Sequence, residues 1–427
     1  MGTFQVGLLL IGTFALLLAL SVPVSVSIII SSVVTMASTL SLDLGTFVAS
    51  QRMVGGVDSF SLLAVPFYIL CGVLMNTGGI AQKLIDFAKI LVGRIPGGLA
   101  HTNILGNTLF GSLSGSSVAA SVAIGGVLIP MEEKEGYDKK FAAAVNIASA
   151  PTGLIIPPSG ILIIYPVLAG CSVVGMIMSG YIPGLMWALA CMVVAYVIAK
   201  KNHYPTAGKV PASVFFKYFV DAIPSLLLIV IIVGGVMSGI FTATESAAVA
   251  VAYTLFLSIV VYRSIKILLD ACETTAVIMF LIAGSNVMSF VMSFTGLPSA
   301  IGNALISVSS NKYVILLIIN LVLLVVGCFM DITPAVLIFT PIFLPVVQSF
   351  GMDPIHFGIM MVMNLGIGNI TPPVGSALFS GCSVADMDME DMIKPILPFY
   401  AAIFVALMLV AYVPWFSMAL PTLFGAV

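Results

Sequence analysis

Residues 149–160 read SAPTGLIIPPSG and residues 366–375 read GIGNITPPVG, and each interrupts a run that is otherwise apolar. A Pro-Pro pair among glycines breaks a helix, because proline lacks the amide donor and clashes with the preceding turn. The surrounding chain is built for lipid. Of its 427 residues 60% are apolar and 7% charged, against roughly a quarter charged in an ordinary soluble domain. Charges this sparse cannot cover a water-facing surface of that size. The formal net charge of −2 includes no basic patch, so no nucleic-acid partner is expected. The six cysteines form no CxxC pair and most lie in apolar runs, which favours small packing residues over a metal or redox centre. The N-terminus lacks a basic n-region, so its first apolar stretch is expected to stay as a membrane helix rather than act as a cleaved signal.

Apolar runs between charged or Gly/Pro-rich breaks give ten expected membrane helices, near 4–20, 22–40, 58–77, 141–170, 180–199, 219–240, 244–262, 272–293, 355–381 and 395–414. Two further stretches, 97–130 and 313–348, carry polar interruptions, GSLSGSS at 111–117 and GCFMDIT at 327–333. Their halves, of about 15 residues, fall short of the roughly 20 that a crossing needs, so both read as re-entrant hairpins. The basic residues agree with that topology. With the N-terminus outside, Lys83, Lys89, Arg94, Lys134, Lys139, Lys140, Lys200, Lys201, Lys209, Lys217, Arg263, Lys266 and Lys394 fall on the cytoplasmic side, leaving only Arg52 and Lys312 outside. Both termini then lie outside.

The two halves also repeat. A shift of 215 residues places Pro130 on Pro345, Gly136 on Gly351, Asp138 on Asp353, Gly153 on Gly368, Pro157-Pro158 on Pro372-Pro373 and Gly160 on Gly375, and Thr77-Gly78 matches Thr295-Gly296 at a shift of 218. The expected halves are 1–215 and 216–427. The first holds an amphipathic interfacial arm 79–93, the hairpin 97–130 and the broken helix 141–170; the second holds 297–311, 313–348 and 355–381. An odd number of crossings per half inverts the second, giving an all-α polytopic membrane protein of two inverted repeats. Inverted repeats with broken helices mark secondary transporters that bind near the bilayer midplane.

The two tips and two breaks therefore carry the expected chemistry. Non-helical backbone at membrane depth is tolerated only where protein or a wet cavity satisfies it. Freed carbonyls suit a hard cation, and half-helix N-termini suit an anion. One Na+ site is expected between 111–117 and 151–159, with Ser112, Gly115, Thr152 and Gly153 as ligands. A second is expected between 327–333 and 366–373, with Gly327, Asp331, Thr333, Gly366 and Gly368. Ser114, Ser116, Ser117, Pro158, Asn369, Thr371 and Pro373 are the expected contacts of an anionic substrate between them. For any single serine, close helix packing explains the residue equally well. Asp331 reads either as a functional intramembrane acid or as a water-exposed tip residue. Glu245, three residues after Thr242, has capping-box spacing and reads as structural. The segment EEKEGYDKK (132–140) reads as a solvated connector.

GSLSGSSVAASVAIGGVLIP, APTGLIIPPS, GIFTATESAA and GNITPPVG, in that order, resemble the large membrane subunit of TRAP transporters, the tripartite ATP-independent periplasmic type; the resemblance covers nearly the whole chain. TATES stands where the family usually shows a proline-containing version. The resemblance implies an elevator-type fold in the bacterial inner membrane, a separate small four-helix membrane subunit, and a periplasmic substrate-binding protein. It implies Na+-driven import of organic acids such as dicarboxylates or sialic acids, with sialic acid the expected substrate. Two other classes fit the sequence less well. An intramembrane serine protease needs a histidine base near its serine. Here His203 is in a loop, His356 starts a span and His101 lies well before the tip; GSLSG also has Leu113 where GxSxG requires serine. A channel could use broken helices as a filter, but two inverted halves suit one shared site better than a ring-shaped pore.

Overall fold

The computed structural model describes residues 3–76, 80–206, 212–257, 267–309 and 311–426. Thr77, Gly78, Lys209, Arg263 and Lys266 lie outside the described residues, so the first partner of the Thr-Gly match and three of the basic positions are not placed. The regular elements among the described residues are all helices, with no strand among them. Helices long and apolar enough to cross a bilayer are Val173–Lys201, Phe215–Met237, Cys272–Thr295, Lys312–Phe329, Ile332–Ser349 and Met389–Tyr412, with shorter apolar helices at Gln5–Ala19, Val24–Thr39, Ala64–Leu74 and Ala243–Phe256.

Each stretch expected as a re-entrant hairpin folds as two helices joined at its expected interruption, Gly98–Ser114 with Ser117–Lys134 and Lys312–Phe329 with Ile332–Ser349. Their arms are 17 or 18 residues long rather than about 15. At a rise of about 1.5 Å per residue such an arm is about 27 Å long, so length alone does not forbid a crossing. The expected arms end at the interruptions 111–117 and 327–333, but serine and threonine hydroxyls bond back to carbonyls of their own helix, as Ser112 does to Leu109 O at 2.8 Å, and the helix continues. Both breaks form where expected. Lys139–Ser149 gives way to a single turn, Thr152–Ile155, before Ile161–Ala169, and Pro354–Asn369 stops before Ser376–Val384. Pro157-Pro158 and Pro372-Pro373 are both cis.

Three helices lie outside the spans expected from the sequence, the shortest being Val173–Ser179. Leu42–Val57 is capped by Ser41, whose hydroxyl accepts from Leu44 N at 3.3 Å, and it packs on the long helix Ile267–Thr295. There Arg52 lies over the Phe290 ring at 4.2 Å and Asn286 Nδ2 donates to Gly56 O at 3.2 Å. Trp415–Leu423 follows the last crossing, pinned by the buried His356, whose Nδ1 is 2.6 Å from Ser417 Oγ. The span read at 58–77 is shorter, a 3-10 turn Phe60–Leu63 leading into Ala64–Asn76. Glu245 completes a capping box with Thr242. The connector reading of 132–140 fails at its start, because Glu132 still belongs to the hairpin arm and is fully buried.

Candidate functional site

Each hairpin meets the broken helix that follows it through a pair of glycines. A Cβ built on Gly153 would stand 2.2 Å from Gly111 Cα, and one on Gly368 would stand 2.4 Å from Gly327 Cα. Only hydrogen fits between backbones this close, so these glycines set how near each tip lies to its break. Polar side chains bind the same elements further in. Asn107 Nδ2 faces Asn146 Oδ1 at 3.0 Å and Ser149 Oγ at 3.0 Å, and Asn146 Nδ2 donates to Ser121 O at 2.9 Å. In the second half Asn364 Nδ2 donates to Asn320 Oδ1 at 2.8 Å.

The tips themselves differ. Gly115, at φ 63°, turns the first chain over, and its N–H donates to Gly111 O at 2.7 Å. Ser116 caps the next helix by accepting from Ala119 N at 3.2 Å. At the second tip Asp331 stands in the capping position but makes no side-chain cap bond, and its Oδ1 accepts from Ser376 Oγ at 3.2 Å. Asn369 joins the halves: its Nδ2 donates to Ser117 Oγ at 2.8 Å, while its Oδ1 accepts from Ser376 Oγ and, at 3.2 Å, from Ala377 N.

Both tips and both breaks open onto one cavity of about 360 Å³. Ser114, Gly115, Ser116, Ser117, Pro158, Asp331, Thr333 and Asn369 line it, so most of the expected substrate contacts and three expected cation ligands come together. The remainder do not line it. Ser112 is buried, and Thr152 donates to Ser149 O at 2.7 Å and lies 3.2 Å from Thr108 Oγ1. Gly153, Gly327 and Gly368 belong to the glycine pairs, and Gly366 faces Trp187 and Pro151. Thr371 donates to Ile367 O at 2.6 Å, and Pro373 is exposed on the second break.

Helices beginning at Ser117, Ile161 and Ile332 present their N-terminal turns to the cavity. Helix N-termini carry unpaired N–H groups and partial positive charge, which suits a carboxylate. The oxygens suit a hard cation. Ser159 is buried with its hydroxyl unpartnered, and its Cα would be 3.8 Å from a Cβ on Gly115, which leaves one oxygen free beside the first tip. At the second tip the Asp331 carboxylate and the Thr333 hydroxyl share the wall. Sequence reasoning missed Ser159, Tyr68 and the asparagine network. Tyr68 lines the cavity with its hydroxyl unpartnered, from a helix whose Gly72 would put a Cβ 2.7 Å from Ser114 O. A signal existed for the asparagines, since an amide inside an apolar run needs a partner.

The family model described as Tripartite ATP-independent periplasmic transporter, DctM component, matches residues 11–416. The chain is 50% identical over 425 residues to the Salmonella typhimurium protein YgiK, with 98% of each chain covered. It is 40% identical over 414 residues to the sialic acid TRAP transporter large permease protein SiaM of Vibrio cholerae, with 96% of each covered. It is 39% identical over 374 residues to the C4-dicarboxylate TRAP transporter large permease protein DctM of Pseudomonas aeruginosa, with 86% of this chain and 88% of that one covered. Among solved structures, the YdaH transporter of Alcanivorax borkumensis aligns with a TM-score of 0.64 at 15% identity, covering 88% of this chain and 90% of that chain.

Proposed function

Because the chain belongs to the DctM-component family of tripartite ATP-independent periplasmic transporters, we propose that it imports an organic acid anion across the bacterial inner membrane, driven by Na+ and by elevator movement of its hairpins and broken helices. The observation that carries this reading is the single cavity shared by both tips and both breaks. An acid such as Asp331 beside three helix N-termini gives that cavity a built-in order. An approaching carboxylate is repelled by Asp331 until a cation neutralises it, after which the free N–H groups attract the anion. Coupling follows from that dependence, since anion and cation each improve the site for the other.

Two Na+ sites are proposed, one at the first tip with the Gly115 and Ser159 region and one at the second with Asp331 and Thr333. The inverted arrangement of the halves, with both termini periplasmic, is part of the proposal and is supported by the repeated glycine pairs. A periplasmic binding protein delivers the substrate, and a separate small four-helix subunit completes the membrane unit. The SiaM and DctM relatives support sialic acid and C4-dicarboxylates as the first substrates to try.

The test is uptake of labelled sialic acid and C4-dicarboxylates into vesicles holding the chain, its small subunit and its binding protein, with and without an inward Na+ gradient. Saturable uptake that needs Na+ and all three components is expected. Gradient-independent, non-saturating flux through this chain alone would refute the proposal and return the channel reading.

A further inference from the structure

Glu132 ends the second arm of the first hairpin, at the base of the hairpin and far from its tip, and no part of its side chain reaches the surface. Neither carboxylate oxygen has a hydrogen-bond partner. Asn103, on the opposite arm and also fully buried, is the polar side chain that faces it, and its Nδ2 likewise lacks a partner at bonding distance.

The elements packed on this arm supply no counter-charge at contact. The interfacial helix Ile80–Val92 carries Lys83, Asp86 and Lys89, and Lys89 pairs with Glu135 at 3.8 Å. The broken helix carries Lys139 and Lys140, which turn to Asp386 O at 3.5 Å and Asp391 Oδ1 at 2.7 Å. The first arm carries His101, two residues from Asn103 and so about 200° around the helix from it. Helix Ser376–Val384 contributes Cys382, and the turn Thr152–Ile155 contributes no titratable group. Glu133 and Lys134 follow on the same helix, about 100° and 200° around from Glu132; beyond them Glu135 repels an anion, and Tyr137 donates its hydroxyl to Pro205 O at 3.1 Å. Packing does not demand an acid here, because the shift that carries Pro130 to Pro345 carries Glu132 to the buried Val347.

We propose that Glu132 is a proton-binding site: it is held as the neutral acid while the hairpin base is closed, and it releases its proton to water when the arms part. On release the O–H bond breaks with its electron pair left on the carboxylate, and water takes the proton. An unpaired carboxylate in a buried site is strongly disfavoured, so the closed base and the bound proton support each other. Opening of the hairpin base is thereby linked to pH on the side of the lysine-rich connectors.

The experiment compares the wild-type chain and Glu132→Gln, each with its small subunit in lipid nanodiscs, by thermal melting from pH 5 to pH 8.5. A carboxyl that keeps its proton to higher pH in the native state than in the unfolded one makes stability fall as pH rises above the ordinary carboxyl range. Glutamine has no such slope. Glu132→Gln is therefore expected to melt higher than wild type at pH 8, by about 2 °C or more, with the gap closing toward pH 5. An infrared carboxylic-acid C=O band present in wild type at pH 7 and absent from the variant is expected beside it. Should Glu132→Gln fail to fold, Glu132→Met, equally unable to ionise, carries the same two readouts. Parallel melting curves without a band difference would overturn the proposal. So would a pH 8 gap that closes on adding Na+ with no acid band, which would make the site a metal-ion site.

Discussion

Substituting Gly153 with alanine tests the backbone contact on which the site depends. The new Cβ would lie 2.2 Å from both the Cα and the carbonyl carbon of Gly111 and 2.7 Å from its oxygen. Carbon atoms in contact prefer about 3.5–4.0 Å, so the break and the hairpin arm must separate by more than about 1 Å. The obstacle is backbone on both sides, with no side chain to rotate away. Ordinary overpacking costs about 1–3 kcal/mol, and this contact is expected at or above the top of that range, a loss of about 100-fold or more in the folded ratio. The separation also moves Gly115 and Ser159 apart at the first tip, so Na+-driven uptake should fall below one tenth of wild type even in protein that survives purification. Gly366→Ala is the control. Its Cβ would meet the Trp187 ring at 3.4 Å and Pro151 at 3.5 Å, which is ordinary contact, and melting and uptake should stay near wild type. Gly368→Ala, 2.4 Å from Gly327, should match Gly153→Ala. Thermal melting of all three variants in detergent, followed by vesicle uptake, checks the set. Wild-type behaviour of Gly153→Ala, or damage from Gly366→Ala equal to it, would refute the reasoning.

Three other outcomes follow from the site. Asp331→Asn keeps an acceptor for Ser376 but removes the charge, so it should weaken apparent Na+ affinity at least tenfold in uptake assays with little change in melting. Asn369→Ala removes the bond to Ser117, leaves the Ala377 amide without its acceptor and leaves Ser376 only Asp331; a loss of about 1–3 kcal/mol and strongly reduced uptake are expected. Thr242→Ala removes a helix cap remote from the cavity, at a cost of about 1 kcal/mol, and should lower melting slightly while uptake per folded molecule is unchanged.

What was legible in the sequence was punctuation. Glycine pairs, Pro-Pro pairs and clustered serines act through the backbone locally, so both tips and both breaks could be located from one window each. What was not legible depends on partners remote in sequence. Leu42–Val57 carries Asp43, Gln51, Arg52 and three glycines, so its own composition argues against a membrane helix; Phe290 and Asn286, more than 200 residues on, supply what its polar groups need. Glu132 opens a run of charges that reads as solvated, and only the packing of the two arms reveals that it is enclosed. Tyr68 and Ser159 have nothing local to distinguish them, since a hydroxyl becomes informative only once its partner is found to be missing.

The repeat preserves backbone shape and discards chemistry. The shift of 215 carries Gly153 to Gly368, and Gly327 stands against Gly368 as Gly111 stands against Gly153, yet the same shift carries Ser116 to Asp331, Ser159 to Val374 and Glu132 to Val347. The two tips thus hold unequal oxygens: neutral hydroxyls and carbonyls at the first, a carboxylate at the second. A cation at the first site would bring a net positive charge to the cavity, while one at the second would cancel Asp331. With the two cation sites proposed above, neutralising Asp331 alone would remove a repulsion and filling the first site would add an attraction, so the anion would gain fully only when both are filled. Asp331→Asn should therefore lower the steepness with which uptake rises with Na+, as well as its midpoint affinity, because one of the two charges that the anion senses no longer depends on Na+. If the Na+ dependence of Asp331→Asn kept the wild-type steepness and merely shifted, the two sites would not be cooperating through the anion, and the charge argument for coupling would fail.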